Sequence, residues 1–374
     1  MVSDRGKLRR RSCLQRIVPY VPGKPVEELE RELGLGDIIK LASNENPLGP
    51  SPMALEAVKN FLGRINHYPD GSAHLLKKDL AAHLGLETGN IILGNGADEL
   101  IGLLGKAFLN PGDEIIMAHP SFSVYEISAL LMDAVPKKVS TRDFHLDLQA
   151  MASAVTPETK IVFICNPNNP TGTIVTRQQV DSFLKELPPK ILVVIDEAYH
   201  EYVTDPEYPS SLALLDEGAN VLILRTFSKI YGLAGLRIGY GLAGKEVIEA
   251  LNIVREPFNV NAVAQVAARA ALRDTQHISA GRELNRQARE YFYKELDRLG
   301  LRYVPTEGNF IFVDVKTDAG KLYQLLLQKG IIVRPGGIFG YPQYLRITFG
   351  TMDENRRFLW ALEESLGKIS SQNG

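Results

Sequence analysis

The chain has 374 residues, with 42 lysines and arginines against 44 aspartates and glutamates, so its net charge of -2 favours neither nucleic acid nor membrane as a partner. That length exceeds what one hydrophobic core usually serves and predicts two domains. Two cysteines, Cys13 and Cys165, exclude a disulfide framework and a cysteine-rich metal site, so no metal is expected and a reducing cytoplasm is the natural location.

The opening stretch 5–16 is basic, but Pro19, Pro22, Gly23 and Pro25 follow it where a secretory signal would carry an apolar run. It reads as a surface arm, 1–42, with one short helix at 26–33. No stretch is long and apolar enough to span a bilayer. Short β-branched runs bounded by Gly, Asn or Pro predict buried strands at 91–93, 114–117, 160–164, 191–195, 221–224 and 236–241. Helical patterns at 97–109, 123–131 and 176–187 alternate with them. This βαβ order predicts an α/β fold: a large, mostly parallel sheet with helices on both faces, over 43–258. Beyond that come helical patterns at 260–272 and 278–299. Strands at 310–315, 331–334 and 344–348 follow, with helices at 319–328 and 353–366. The change predicts a smaller α+β domain over 259–374.

Lys229 lies in a Gly-rich turn after the 221–224 strand, and Asp196 ends the apolar 191–195 strand. A lysine amine at a strand's carboxyl end can hold an aldehyde as a Schiff base. A carboxylate at the end of a buried strand is costly unless it meets a cation, such as a protonated pyridine nitrogen. Tyr199, three residues on, and Asn169, in the loop after 160–164, can reach a phenolic oxygen on the same ring. Gly96, Ala97 and Asp98 open a helix after a strand, where backbone N–H groups suit a phosphate. Ser228 and Arg237 add a hydroxyl and a cation to that cradle, with Arg237 read as lying on the 236–241 strand. Phe122 offers a face for stacking. These are the demands of pyridoxal 5'-phosphate (PLP). Arg334 and Arg346 fall in strand-like runs, and an arginine there needs an anion: a substrate phosphate or carboxylate, or an acid of the protein itself.

Taken together, the segments 41–47, 67–70, 94–99, 166–172, 196–199, 228–239, 333–337 and 345–348 resemble the PLP-dependent transferases of fold type I. Within them the chain resembles the histidinol-phosphate aminotransferases, over almost its full length. The resemblance implies that Lys229 carries the cofactor and that Asp196 pairs with its ring nitrogen. It implies Asn169 and Tyr199 on the phenolic oxygen, and Gly96, Ala97, Asp98, Ser228 and Arg237 around the phosphate. It further implies a homodimer in which Tyr68 reaches the neighbouring subunit's cofactor phosphate. Tyr20 of the arm would close the substrate pocket. Arg334 would hold the phosphate of histidinol phosphate, with Arg346 beside it where related enzymes bind an α-carboxylate. The implied reaction is ping-pong amino transfer between L-histidinol phosphate and 2-oxoglutarate, with glutamate as the other partner. An aromatic aminotransferase or a threonine-phosphate decarboxylase would share Lys229, Asp196 and Arg346. A cofactor-sensing regulator on the same fold would need a DNA-binding domain that the arm does not supply.

Overall fold

The computed structural model describes residues 10–34, 36–209 and 211–372, so the basic residues Arg5, Lys7 and Arg9 lie outside it. β1 (Ile39–Lys40) leaves the arm and pairs in parallel with Ile331–Ile332, far along the chain. The large sheet holds β2 (Ile91–Gly94), β3 (Glu114–His119), β4 (Val135–Ser140), β5 (Thr159–Cys165), β6 (Leu192–Asp196), β7 (Val221–Thr226) and β8 (Gly239–Ala243). Their spatial order is β2-β8-β7-β6-β5-β3-β4. β8 runs antiparallel to both of its neighbours, and the other pairs are parallel.

Side chains alternate between the sheet's two faces, and helices bury both. Ile92, Phe163, Val194 and Leu222 meet Leu100, Leu104 and Leu251, from the helices Ala97–Phe108 and Lys245–Val254. On the other face Val162, Ile164 and Ile195 meet Val180 and Phe183 of the helix Arg177–Glu186. β4 is absent from the sequence expectation. Pro136 and two lysines break its apolar pattern, and none of its six residues is buried, as befits an edge strand.

The second unit contains β9 (Arg302–Val304), β10 (Phe310–Asp314), β11 (Ile331–Ile332), β12 (Arg334–Pro335) and β13 (Tyr344–Thr348). Four of these form an antiparallel sheet ordered β12-β13-β10-β9. Its core joins Ile311, Val313 and Ile347 to Phe292, Leu322 and Phe358, and also to Ile39 and Leu41 from the end of the arm. The helix Ala262–Arg273, which follows residue 258, packs Ala264, Ala267 and Ala268 against Leu93, Phe227 and Ile238 of the large unit. The helix Thr275–Arg298 then serves the second core through Ala288, Phe292 and Leu296. The change of core therefore falls at Asp274, between these two helices.

Candidate active site

The carboxyl ends of β5, β6 and β7 converge on a cavity of about 170 Å³. Lys229, Asp196, Tyr199, Asn169, Phe122, Ala97, Asp98, Ser228, Arg237, Arg346 and Tyr20 all line it. Gly96 stands at its edge, and a Cβ there would collide with the Arg237 guanidinium. With φ of +82° the position also favours glycine outright.

Lys229 Nζ is half-buried and donates to the Ser43 carbonyl at 3.1 Å. Burial, with Arg346 and Arg237 nearby, lowers its pKa from 10.5 to about 8, so a useful fraction is the neutral amine. Asp196 is 5% exposed and makes no ion pair among the described residues. Its Oδ2 accepts from the Tyr125 hydroxyl at 2.6 Å and its Oδ1 from the Ala198 N–H at 3.2 Å. Burial pushes its pKa from 3.8 up to about 6, although the Tyr125 hydrogen bond acts against that. A carboxylate so placed could receive a cation, such as a protonated ring nitrogen.

The helix Ala97–Phe108 starts at Gly96 without a side-chain cap, so its first N–H groups are available to an anion. Arg237 donates to Ser228 Oγ at 3.4 Å and approaches Asp98 at 3.6 Å, which gathers the cradle expected from the sequence. One expectation is corrected: Arg237 does not lie on a strand. It ends the 3₁₀ turn Ala234–Leu236 with φ of +54°, and β8 begins two residues later. That left-handed turn brings its side chain back over Gly96.

Arg346 and Arg334 are directly opposite each other on β13 and β12. They are 6% and 7% exposed, and neither has a carboxylate partner among the described residues. Arg346 donates to Asn169 Oδ1 and to the Ala42 carbonyl, each at 2.6 Å, and its Nε has no acceptor among the described residues. Arg334 donates to the Val21 carbonyl and lies 5.6 Å from the Tyr20 ring. Both arginines and Tyr20 line a second cavity of about 350 Å³ that shares Phe122 and Asn169 with the first. Among the described residues neither arginine forms a structural ion pair.

Tyr68 does not line the cavity of its own chain. It is 83% exposed and stacks on Phe258 with ring centroids 4.8 Å apart. Tyr125 and Asn44 are site residues that the sequence reading missed. Tyr125 reads as one more apolar position of the helix Val124–Leu131, and nothing local announces its bond to Asp196.

A strand-end lysine, a buried carboxylate and an uncapped helix start around one cavity define a PLP enzyme of fold type I. The family model for aminotransferase class I and II matches residues 36–362. The chain belongs to that family. The histidinol-phosphate aminotransferase of Moorella thermoacetica is 57% identical over 95% of this chain and 92% of that protein. The one from Caldicellulosiruptor saccharolyticus is 49% identical over 95% and 99%. The crystal structure of histidinol-phosphate aminotransferase from Sinorhizobium meliloti, in complex with pyridoxal-5'-phosphate, superposes with a TM-score of 0.90. It is 30% identical, over 98% of this chain and 100% of that one.

Proposed function

We propose that this chain is a histidinol-phosphate aminotransferase, moving an amino group between L-histidinol phosphate and 2-oxoglutarate in histidine biosynthesis. The observation that carries the reading is the buried cross-strand pair Arg334 and Arg346, beside Lys229 and without an acid. Like charges directly opposite on a sheet repel, and burial adds to the cost. An anionic substrate offsets both. A phosphate suits the Arg334 end, next to Tyr20, and a carboxylate of glutamate suits Arg346.

PLP, when bound, supplies an aldehyde to capture the amine and a ring that accepts the electrons released at the substrate α-carbon. Lys229 would hold it, Asp196 would keep the ring nitrogen protonated, and Tyr199 and Asn169 would take the phenolic oxygen. Gly96, Ala97, Asp98, Ser228 and Arg237 would receive the phosphate, and Phe122 would cover the ring face. Freed of its covalent role, the Lys229 amine would take the proton from the α-carbon of the amino donor and, in the second half of the reaction, deliver one to the α-carbon of the acceptor. Its lowered pKa suits that work near neutral pH.

A homodimer is part of the proposal. Tyr68 and Phe258 form an exposed aromatic pair away from their own cavity, and a neighbouring subunit's cavity would give Tyr68 its role. A cytoplasmic location fits Cys13 and Cys165, both buried as free thiols. No helix among the described residues is long and apolar enough to cross a membrane.

A substrate panel tests the function. With glutamate as donor, imidazole-acetol phosphate is expected to outrun phenylpyruvate, and threonine phosphate is expected to release no carbon dioxide. Arg334→Met sharpens the test. Losing a charge-assisted contact should raise KM for the phosphorylated acceptor about 10- to 100-fold, with phenylpyruvate turnover little changed. Equal losses on both acceptors would remove Arg334 from phosphate recognition.

A further inference from the structure

The Tyr199 phenol sits in an arrangement that leaves its proton one direction. Its oxygen faces Asn44 Nδ2 at 2.9 Å and Asn169 Nδ2 at 3.4 Å. Turning either amide over would break a hydrogen bond. Asn169 Oδ1 accepts from Arg346, and an arginine only donates, so the NH₂ end of Asn169 must face away from it, toward Tyr199. Asn44 is fixed by Thr348. The Asn44 N–H donates to Thr348 Oγ1 at 2.9 Å, and that hydroxyl donates back to Asn44 Oδ1 at 3.0 Å. With two amide donors on its acceptor side, the phenol's hydrogen points into the cavity that Tyr199 shares with Lys229.

Asn44 is held firmly for this purpose. It is 1% exposed, its φ is +55°, and Asn309 Nδ2 donates to its carbonyl at 3.0 Å. Asparagine tolerates that left-handed backbone better than most residues. The same residue ties the loop after β1 to β13, so the second unit reaches the cavity through it.

We propose that Asn44, oriented by Thr348, is a positioning residue that makes Tyr199 a hydrogen-bond donor to the cofactor's phenolic oxygen. The inference rests on the reading of Lys229 and Tyr199 as cofactor residues. A donor at that oxygen favours its anionic form. Losing the donor therefore raises the pH at which the visible absorbance of the holoenzyme titrates.

Asn44→Asp is the central variant. Aspartate keeps the shape and tolerates the backbone, but it offers Tyr199 an acceptor and draws the phenol's hydrogen away. The titration midpoint is expected to rise by about one pH unit, with kcat falling more than KM changes. In a Tyr199→Phe background the same substitution should leave the midpoint where Tyr199→Phe alone puts it. Thr348→Val frees the Asn44 amide to turn without adding charge, so it should shift the midpoint the same way, and Thr348→Ser should restore it. It also carries the test if Asn44→Asp does not fold. The charged and ionisable groups facing Tyr199 and Lys229 are Arg346, Asp196, Cys165, Asp98, Glu45 and Arg237, and all stay in place in these variants. An unmoved midpoint overturns the proposal. So does an equal Asn44→Asp shift with and without the phenol, which would assign the effect to the added charge. Wild-type protein with no borohydride-sensitive visible band would instead sink the underlying cofactor reading.

Discussion

Lys229→Ala is expected to leave a folded protein that has lost on the order of 10³-fold or more in kcat, because under the proposed mechanism one side chain would carry both the covalent and the proton-transfer roles. Folding should survive, since the amine's one hydrogen bond among the described residues is to the Ser43 carbonyl at the cavity wall. Borohydride reduction of the wild type, followed by peptide mass analysis, should place the cofactor on Lys229 and on no other lysine. The lowered pKa adds a pH test with a definite sign. Only the neutral amine attacks an aldehyde. Cofactor capture by cofactor-free protein should therefore speed up about tenfold per pH unit below about 8 and level off above it. An amine with an ordinary pKa would keep accelerating beyond pH 9. Turnover near the wild-type level in Lys229→Ala would remove this residue, and the mechanism built on it.

The parts of this molecule that were legible in the sequence are those whose signal is local. Asp196 stands out because a carboxylate ends a run of buried β-branched residues, and Lys229 because it follows such a run into a Gly-rich turn. Arg346 stands out because it alternates with apolar neighbours, and β13 buries it. The misses have non-local causes. Tyr125 gains its meaning from Asp196, 71 positions away, and Asn44 from Thr348, 304 positions away. The pattern Leu236-Arg237-Ile238 suggests a strand, yet a left-handed residue at Arg237 delays β8 to Gly239. The helix Ala262–Arg273 belongs to the large core through small alanines, and amphipathicity does not say which core such a face will meet. β4 is partly exposed at an edge, so it lacks the continuous apolar run that marks the buried strands.

Asp196→Asn should move activity and cofactor-free stability in opposite directions. Without a cation beside it, the carboxylate is charged at neutral pH in a site that penalises charge, which is why its pKa lies near 6 rather than 3.8. An acid whose folded pKa is raised stabilises most below its unfolded pKa, and that contribution is lost as pH rises through the folded one. Between pH 3.8 and 6 the cofactor-free protein thus loses about 3 kcal/mol to this group, and the loss stays constant above. Asparagine has the same shape and no charge. The variant without cofactor should therefore melt several degrees above the wild type at pH 7 to 8, with the gap closing toward pH 4. With cofactor the order reverses. The neutral amide cannot keep the ring nitrogen protonated, so kcat should fall about 10²- to 10³-fold, the scale of losing one preorganised electrostatic contact. Calorimetry of both forms with and without cofactor, beside single-turnover kinetics, measures both halves. A variant that is less stable without cofactor would mean that the Tyr125 and Ala198 hydrogen bonds already satisfy the carboxylate, and its partnership with a ring cation would lose its physical basis.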